Sequence, residues 1–241
     1  MKTRGFVLTV SAILTIVISI ATIVVIAKYE SEDINSFYEK VKKHNSDNSS
    51  EEINADKKEV YIYDDEESTY RELVKGDYAT YVFVGDSRYR GMQFLAEEED
   101  VFICENGRGY DFLIEQMSYI VSECDGNTAL IIGLGVNDNT YNVDKYLNTL
   151  SEMADTMDCQ IYYMLVNPVD EEKEAYNGYH VKNENIEIFN ERMRNELDER
   201  IGVIDTNTYL KESGFETMDG LHYTNDTYEK IYNFIKSEIT E

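Results

Sequence analysis

The sequence has few of the residues that bind nucleic acid. It carries 22 lysines and arginines against 48 aspartates and glutamates, which gives a formal net charge of −26. Nucleic-acid binding needs clusters of lysine and arginine that neutralise phosphates, so this charge balance argues strongly against a nucleic-acid partner. It argues equally against electrostatic attraction to anionic lipid. An acidic surplus of this size is typical of a solvated, soluble surface.

Cysteine is also scarce, and its spacing indicates no metal site. The three cysteines, Cys104, Cys124 and Cys159, form an odd set without metal-ligand spacing. Cys124 and Cys159 each precede a predicted strand, and we do not expect a disulfide between them. Asp86 and Asp138 are not accompanied by a cluster of imidazoles or thiolates. The chain is therefore no disulfide scaffold, and we predict no metal site.

Charge is absent from residues 5–27, an apolar run that also lacks proline. The run is long enough to cross a bilayer as a helix. Lys2 and Arg4 precede it, and this flanking positive charge favours a cytoplasmic N-terminus. A cleaved signal peptide is the alternative, but the run exceeds the roughly 7–15 residues of a signal core. We expect a retained membrane anchor, and on either interpretation the rest of the chain is exported.

Changes in composition divide the chain into three regions. Residues 1–27 form a cytoplasmic tip and the transmembrane anchor. Residues 28–77 are acidic, with a short juxtamembrane helix predicted at 31–43. Residues 44–58 are too poor in apolar side chains to fold alone, so we expect a flexible tether there. Residues 78–241 show apolar segments of strand and helix character in alternation and form the folded domain.

This alternation predicts a sheet with helices on both sides. The apolar runs with strand character lie at 81–84, 101–104, 129–134, 161–166 and 201–204. The run 129–134 is continuously apolar, as expected for a central parallel strand covered on both faces. The clearest helix spans 142–157, where apolar residues recur on one face. About 160 residues are enough for one well-buried core.

Four short polar segments follow predicted strands or precede the last helix. They are Gly85-Asp86-Ser87, Asn106-Gly107-Arg108-Gly109, Gly135-Val136-Asn137-Asp138 and Asp219-Gly220-Leu221-His222. Because the carboxyl ends of parallel strands lie at one edge of a sheet, these segments can converge although they are far apart in sequence. Taken alone, the first is better explained as an ordinary strand-to-helix turn with Asp86 or Ser87 as the helix cap.

Together the segments contain the groups that acyl transfer requires. Ser87 becomes a nucleophile only if a base removes its proton, and His222 is the natural base. Asp219 can accept a hydrogen bond from the other imidazole nitrogen and fix the tautomer. Gly107 lets its backbone N–H approach a developing oxyanion, and the Asn137 side chain offers an amide donor.

In this order the segments resemble the four sequence blocks of the SGNH hydrolases, also called the GDSL family. The resemblance covers essentially the whole folded domain. It implies a flavodoxin-like three-layer α/β/α sandwich with a five-stranded, mostly parallel sheet, here preceded by one N-terminal transmembrane helix. It also implies ester hydrolysis without a cofactor. Carried over to this sequence, Ser87 is the nucleophile, His222 the base and Asp219 its orienter, while Gly107 and Asn137 join the Ser87 amide as oxyanion donors.

Some positions near these blocks allow two interpretations. The second block offers both Gly107 and Gly109, and Gly107 is preferred because the glycine there usually precedes a small residue at a helix start. Arg88 stands where the family more commonly has an aliphatic residue. We expect it to be solvated, with attraction of an anionic substrate group as the alternative. His180 lies in the loop 167–182 and is expected to be exposed, although this loop could form one wall of the substrate site.

The sequence therefore predicts a membrane-anchored, extracytoplasmic serine esterase. Its partner is an acylated small-molecule or carbohydrate substrate, and short acyl groups such as O-acetyl on carbohydrate are the first expectation. One alternative is an O-acyltransferase that uses the same residues on cell-surface glycans, with a sugar hydroxyl in place of water. The other is a non-catalytic binding module. The complete glycine fingerprint of dinucleotide-binding proteins is absent. The Gly-x-Ser-x-Gly elbow of the α/β-hydrolases is also absent, because Tyr89 stands where its second glycine would be.

Overall fold

The computed structural model describes residues 57–58, 73–138 and 142–241. The predicted transmembrane anchor and juxtamembrane helix, and all of the predicted tether except 57–58, lie outside these residues. Within the described ranges, every helix is too short or too polar to cross a bilayer.

A short antiparallel pair precedes the main sheet. It joins β1 (Lys57–Lys58) to β2 (Leu73–Val74). The Leu73 side chain is buried in the apolar core, and Gly76 N–H donates to the carbonyl of Ile239. Packed structure therefore begins a few residues before the boundary at residue 78 that the change in pattern suggests.

The main sheet has five parallel strands. They are β3 (Thr80–Gly85), β4 (Asp100–Cys104), β5 (Thr128–Gly133), β6 (Gln160–Met164) and β7 (Gly202–Ile204). Their order across the sheet is β4-β3-β5-β6-β7, and every pairing is parallel. This is the flavodoxin-like order, in which the chain leaves the first strand toward one edge and later returns to its other side. The predicted five-stranded parallel sheet is confirmed.

Helices connect the strands. They are α1 (Ser87–Met92), α2 (Tyr110–Glu115), α3 (Met117–Ser122), α4 (Val143–Thr156), α5 (Glu171–Asn177), α6 (Asn183–Glu196), α7 (Thr206–Ser213) and α8 (Asn225–Ile239), with short 3₁₀ turns at Gln93–Leu95 and Val136–Asp138.

Two apolar clusters lie on the two faces of the sheet, because alternate residues of a strand point to opposite sides. Val82 and Val84 of β3 belong to the first cluster, together with buried residues of α2, α3, α4 and α6. Tyr81 and Phe83 belong to the second, together with residues of α1, α7 and α8. The described domain therefore has three layers, as predicted. The switch point of the topology lies between β3 and β5, where open α/β sheets bind their ligands.

Candidate active site

Ser87 opens helix α1 directly after strand β3. Asp86 caps this helix, since its side chain accepts a hydrogen bond from the Arg88 N–H at 2.8 Å. Gly85 lies opposite Gly133 of β5, and a Cβ atom at either position would come within 2.3 Å of the Tyr89 ring. These glycines therefore let Tyr89 pack over the ends of the two strands, which holds α1 and its serine against the edge of the sheet.

His222 and Asp219 lie on one turn that faces Ser87. His222 Nε2 is 2.9 Å from Ser87 Oγ, and His222 Nδ1 is 2.7 Å from Asp219 Oδ2. The other carboxylate oxygen of Asp219 accepts hydrogen bonds from the backbone N–H groups of Leu221 and His222. Gly220, at φ 95°, supplies the left-handed conformation that this turn needs. The three residues predicted as nucleophile, base and orienter thus form one continuous hydrogen-bonded chain.

The hydrogen bonds to Asp219 keep it ionised. Burial raises the pKa of Asp219, but hydrogen bonds from the backbone and ring of His222 and from the Leu221 N–H outweigh burial and lower this pKa to about 2. A carboxylate at 2.7 Å requires a proton on His222 Nδ1, which leaves Nε2 free to accept the hydrogen of the Ser87 hydroxyl. This is the tautomer that a general base needs.

The predicted oxyanion donors lie on the other side of Ser87. The Asn137 side-chain amide donates to the Arg108 carbonyl at 2.9 Å and to Asp86 Oδ2 at 3.2 Å. Both of its protons are thus directed at internal acceptors. Gly107 is exposed at φ 73°, with open space around its Cα, whereas Gly109 caps the start of α2. In the structure, Asn137 therefore contacts the Arg108–Gly109 peptide and not the Gly107 N–H that the sequence analysis preferred.

Solved structures with similar architecture include three bacterial proteins. A GDSL-like lipase from Bacteroides thetaiotaomicron gives a TM-score of 0.53 at 19% sequence identity, covering 66% of this chain and 86% of that chain. A candidate acylhydrolase from Bacteroides fragilis gives 0.54 at 19% identity, covering 68% and 89%. A candidate platelet activating factor from Streptococcus pneumonia gives 0.54 at 20% identity, covering 66% and 83%.

The chain has an SGNH hydrolase-like fold. The resemblance predicted from the four sequence blocks is confirmed at this level. No protein-family model and no curated protein matches the sequence. At these identities the likeness establishes the fold, and the chemistry of this SGNH-like domain has to be argued from its own residues.

Asp138 lies beside Asn137, a predicted oxyanion donor, and beside Gly109. Its carboxylate accepts hydrogen bonds from the Tyr110 N–H at 2.9 Å, the Tyr146 hydroxyl at 2.6 Å and the Asn142 amide at 2.9 Å. A Cβ atom added at Gly109 would lie 2.4 Å from this carboxylate. Asp138 therefore fixes the start of α2 and links it to α4. The described residues contain no group of three or more acidic, histidine or cysteine side chains arranged around a metal position.

The loop after β6 covers the outer side of Asp219. The Tyr179 hydroxyl donates to Asp219 Oδ2 at 3.1 Å, and its ring meets the His222 ring edge-on at a centroid distance of 5.8 Å. Asn177 donates to the Asp219 carbonyl at 2.9 Å. His180 is exposed, as predicted, at φ 61°. Sequence reasoning pointed to this loop as a wall of the site but missed Tyr179 and Asn177, and its only signal was a richness in tyrosine.

Arg88 differs from both of its predicted roles. Its side chain is only 5% exposed, so it is neither solvated nor placed to attract an anionic group from solvent. Asp86, two residues earlier, is 1% exposed. Burial raises the pKa of Asp86 to about 6, although the charges of Arg88 and His222 and the hydrogen bond from the Arg88 N–H act in the opposite direction. An arginine and an aspartate are therefore buried on either side of Ser87 in the sequence.

Proposed function

We propose that this chain is a membrane-anchored serine esterase of the SGNH type, with its catalytic domain on the extracytoplasmic side. The observation that carries the proposal is the hydrogen-bonded chain from Asp219 through His222 to Ser87 at the sheet edge. A nucleophile within 2.9 Å of a base, whose other nitrogen is held by a carboxylate, is the arrangement that activates serine. The lipase and acylhydrolase names among the similar structures support ester hydrolysis as the reaction.

The proposed cycle has two halves. Ser87 Oγ attacks the ester carbonyl while His222 takes its proton, and the imidazolium that forms is stabilised by the ionised Asp219. The tetrahedral intermediate collapses, His222 returns the proton to the leaving alcohol, and the acyl group stays on Ser87. Water then gives a proton to His222 and attacks the acyl-enzyme, and as the bond between the acyl carbon and Ser87 Oγ breaks, His222 returns the proton to Oγ and the carboxylic acid leaves.

The oxyanion of each tetrahedral intermediate needs donors on the Asn137 side. The Arg108 carbonyl now accepts from the Asn137 amide, so the oxyanion has to replace this internal acceptor. Because a peptide group is trans, a rotation of the Arg108–Gly109 peptide would turn the Gly109 N–H toward the position that the carbonyl now holds. This juxtaposition favours Gly109 over Gly107 as the backbone donor beside Asn137 and the Ser87 N–H.

Location and substrate rest on the sequence. The uncharged run at 5–27, behind Lys2 and Arg4, supports a single membrane anchor with an exported domain. An enzyme at that position meets acylated material at the cell surface, so we propose short acyl esters on carbohydrate or on small molecules as its substrates. A cell-fractionation experiment tests the anchor. Full-length protein should remain with membranes, and protease added outside should cut within 44–58.

Labelling with a fluorophosphonate probe tests the chemistry. At pH 8 the folded full-length chain should be labelled, and the adduct should map to Ser87 by mass spectrometry. Ser87→Ala should abolish labelling, whereas Ser213→Ala, at the exposed end of α7, should leave it unchanged. A folded wild-type chain that remains unlabelled would favour the non-catalytic binding module.

A second assay separates hydrolysis from acyl transfer. A small chromogenic acetyl ester is turned over with and without a sugar acceptor. Release of acetate that is independent of the acceptor supports the esterase. Turnover that appears only with the sugar, together with an acetylated sugar product, would replace the esterase by the O-acyltransferase.

A further inference from the structure

The buried guanidinium of Arg88 contacts backbone carbonyls from two other parts of the chain. Its Nε donates to the Leu221 carbonyl at 3.2 Å, and its Nη1 donates to the Asn167 carbonyl at 2.9 Å. Its Cζ lies 5.3 Å from the centre of the Tyr223 ring, within the range of a cation–π contact. The side chain therefore contacts both flanks of His222 and the segment that follows β6.

The chain positions of these contacts link the two reacting groups. Arg88 follows Ser87 directly on α1, and Leu221 precedes His222 directly on the turn. One side chain thus joins the neighbour of the nucleophile to the neighbour of the base across 133 residues. The two contacts require a planar group with separate donors at a fixed angle, which guanidinium provides and ammonium does not.

The second acceptor is itself held firmly. The Asn167 side chain is 1% exposed and accepts a hydrogen bond from the Thr206 hydroxyl at 2.5 Å. The next residue, Pro168, accepts at its carbonyl from the Tyr223 hydroxyl. Arg88 is therefore bonded to a segment after β6 that is buried and hydrogen-bonded to α7 and to Tyr223, and this contact connects α1 to that segment.

We propose that Arg88 is a positioning residue whose two-point contact sets the hydrogen bond between Ser87 Oγ and His222 Nε2. This inference rests on the proposed function for its kinetic consequence, but the hydrogen bond itself can be observed without turnover. A displacement of about 1 Å between nucleophile and base can lower a rate by about 10²-fold. Loss of the contact should therefore lower kcat while KM changes little, because the Arg88 side chain is buried and bonded to backbone carbonyls.

The kinetic test compares Arg88→Met with Arg90→Met in the full-length chain, purified in detergent. Arg90 lies on the same helix and is exposed, so it is the matched control. Arg88→Met should lower kcat and the fluorophosphonate labelling rate by roughly 10- to 100-fold with KM within about threefold. Arg90→Met should stay within about twofold of wild type. Arg88→Lys, which keeps the charge but loses the planar fork, should fall between the two.

The spectroscopic test observes the Ser87–His222 hydrogen bond directly. The chain has three histidines, so ¹⁵N-histidine labelling gives a spectrum that single His→Gln variants can assign. In the wild-type background, Ser87→Ala should shift the His222 Nε2 resonance because it removes the hydrogen bond. In the Arg88→Met background, the same substitution should shift it much less.

The outcomes separate the two proposals. If the wild-type chain neither labels nor turns over ester, the proposed function fails, while the spectroscopic comparison still tests the positioning role. If folded Arg88→Met is labelled at the wild-type rate, the positioning role is wrong. The role is also wrong if Arg88→Met is labelled more slowly but Ser87→Ala still shifts the His222 Nε2 resonance as much as it does in the wild-type background. If Arg88→Met does not fold, the same measurements on Arg88→Lys test the positioning role. A folded Arg88→Lys variant with wild-type kinetics and a wild-type spectrum would overturn that role.

Discussion

The two sides of the candidate site differ in how their hydrogen bonds are arranged. On the base side, Asp219, His222 and Ser87 are bonded in series in the order that proton transfer uses. On the oxyanion side, Asn137 donates both amide protons to acceptors inside the domain, the Arg108 carbonyl and Asp86. In the proposed reaction, the base side can move a proton in this arrangement, whereas Asn137 has to leave an internal acceptor before it can stabilise negative charge.

The difference follows from how each side is built. On the base side, Asp219 and His222 lie on one four-residue turn in which Asp219 accepts from the backbone of the residues that follow it, so local sequence determines the geometry of this pair. The oxyanion side combines loops after three different strands, and its geometry depends on how those loops pack. A substitution on the base side should therefore lower activity by removing a reacting group. A substitution on the oxyanion side should in addition displace the neighbouring loops.

The largest effect is expected from the base side. Ser87→Ala removes the nucleophile, so turnover of a chromogenic acetyl ester should fall by around 10⁶-fold. His222→Ala should be nearly as severe, because an unassisted serine hydroxyl stays protonated near neutral pH. Steady-state kinetics on folded variants measure both. A folded His222→Ala variant with a loss below about tenfold would show that another residue acts as the base.

The oxyanion side should give a smaller loss. Asn137→Ala removes one of about three donors and leaves nucleophile and base in place, so turnover should fall by roughly 10²–10³-fold, about 3–4 kcal/mol of transition-state stabilisation. KM should change less, because the donor is directed at charge that develops only after attack. His180→Ala, on the exposed loop, is the comparison and should do little. If Asn137→Ala were silent, the oxyanion would have to be held elsewhere.

The sheet was predictable because its strands are apolar on both faces. The predicted runs 81–84 and 129–134 fall within a residue of Thr80–Gly85 and Thr128–Gly133. The predicted helix 142–157 likewise matches Val143–Thr156, whose apolar stripe faces the first core cluster. Burial of both faces, or of one helical stripe, leaves a periodic pattern that sequence shows directly.

The surroundings of the site were less predictable. Arg88 donates to two backbone carbonyls, and a carbonyl has no side-chain signature, so nothing in the sequence marks its acceptors. Tyr179 reaches Asp219 across 40 residues of chain. The choice between Gly107 and Gly109 depends on where α2 begins, which the position of Asp138 decides. Each of these features depends on tertiary packing and has no local pattern.

A pair of glycine substitutions tests which glycine, Gly107 or Gly109, supplies the backbone donor on the oxyanion side. Gly109→Ala places a Cβ 2.4 Å from the Asp138 carboxylate, so it should displace the α2 start and lower turnover by about tenfold or more. Gly107→Ala meets no neighbouring atom but forces alanine to φ 73°, which should cost about 1 kcal/mol of stability with turnover retained. Kinetics and chemical unfolding of both variants measure this contrast. The reverse pattern would restore Gly107 as the backbone donor.

The last contrast concerns stability and not turnover, because the carboxylates of the two sides should respond to pH in opposite ways. The pKa of Asp219 is lowered to about 2, so its ionised form stabilises the fold above the unfolded pKa near 4, and this contribution is lost as pH falls from about 4 through 2. The pKa of Asp86 is raised to about 6 by burial, so the native state holds a proton that the unfolded state has released. Stability should therefore fall as pH rises from about 4 to 6, by on the order of 3 kcal/mol.

Urea unfolding between pH 2 and 7 measures both slopes as differences between each variant and wild type. Relative to wild type, the free energy of unfolding of Asp219→Asn should become progressively lower as pH rises from 2 to 4. The free energy of unfolding of Asp86→Asn should become progressively higher relative to wild type as pH rises from 4 to 6. The charge of Arg88 lowers the pKa of Asp86, so its attraction to the ionised carboxylate is already part of this slope. Because the Asp219 side chain is 29% exposed, its slope should be the weaker of the two. Slopes of the same sign for the two variants would mean that the two carboxylates do not occupy the contrasting environments that distinguish the base side from the oxyanion side.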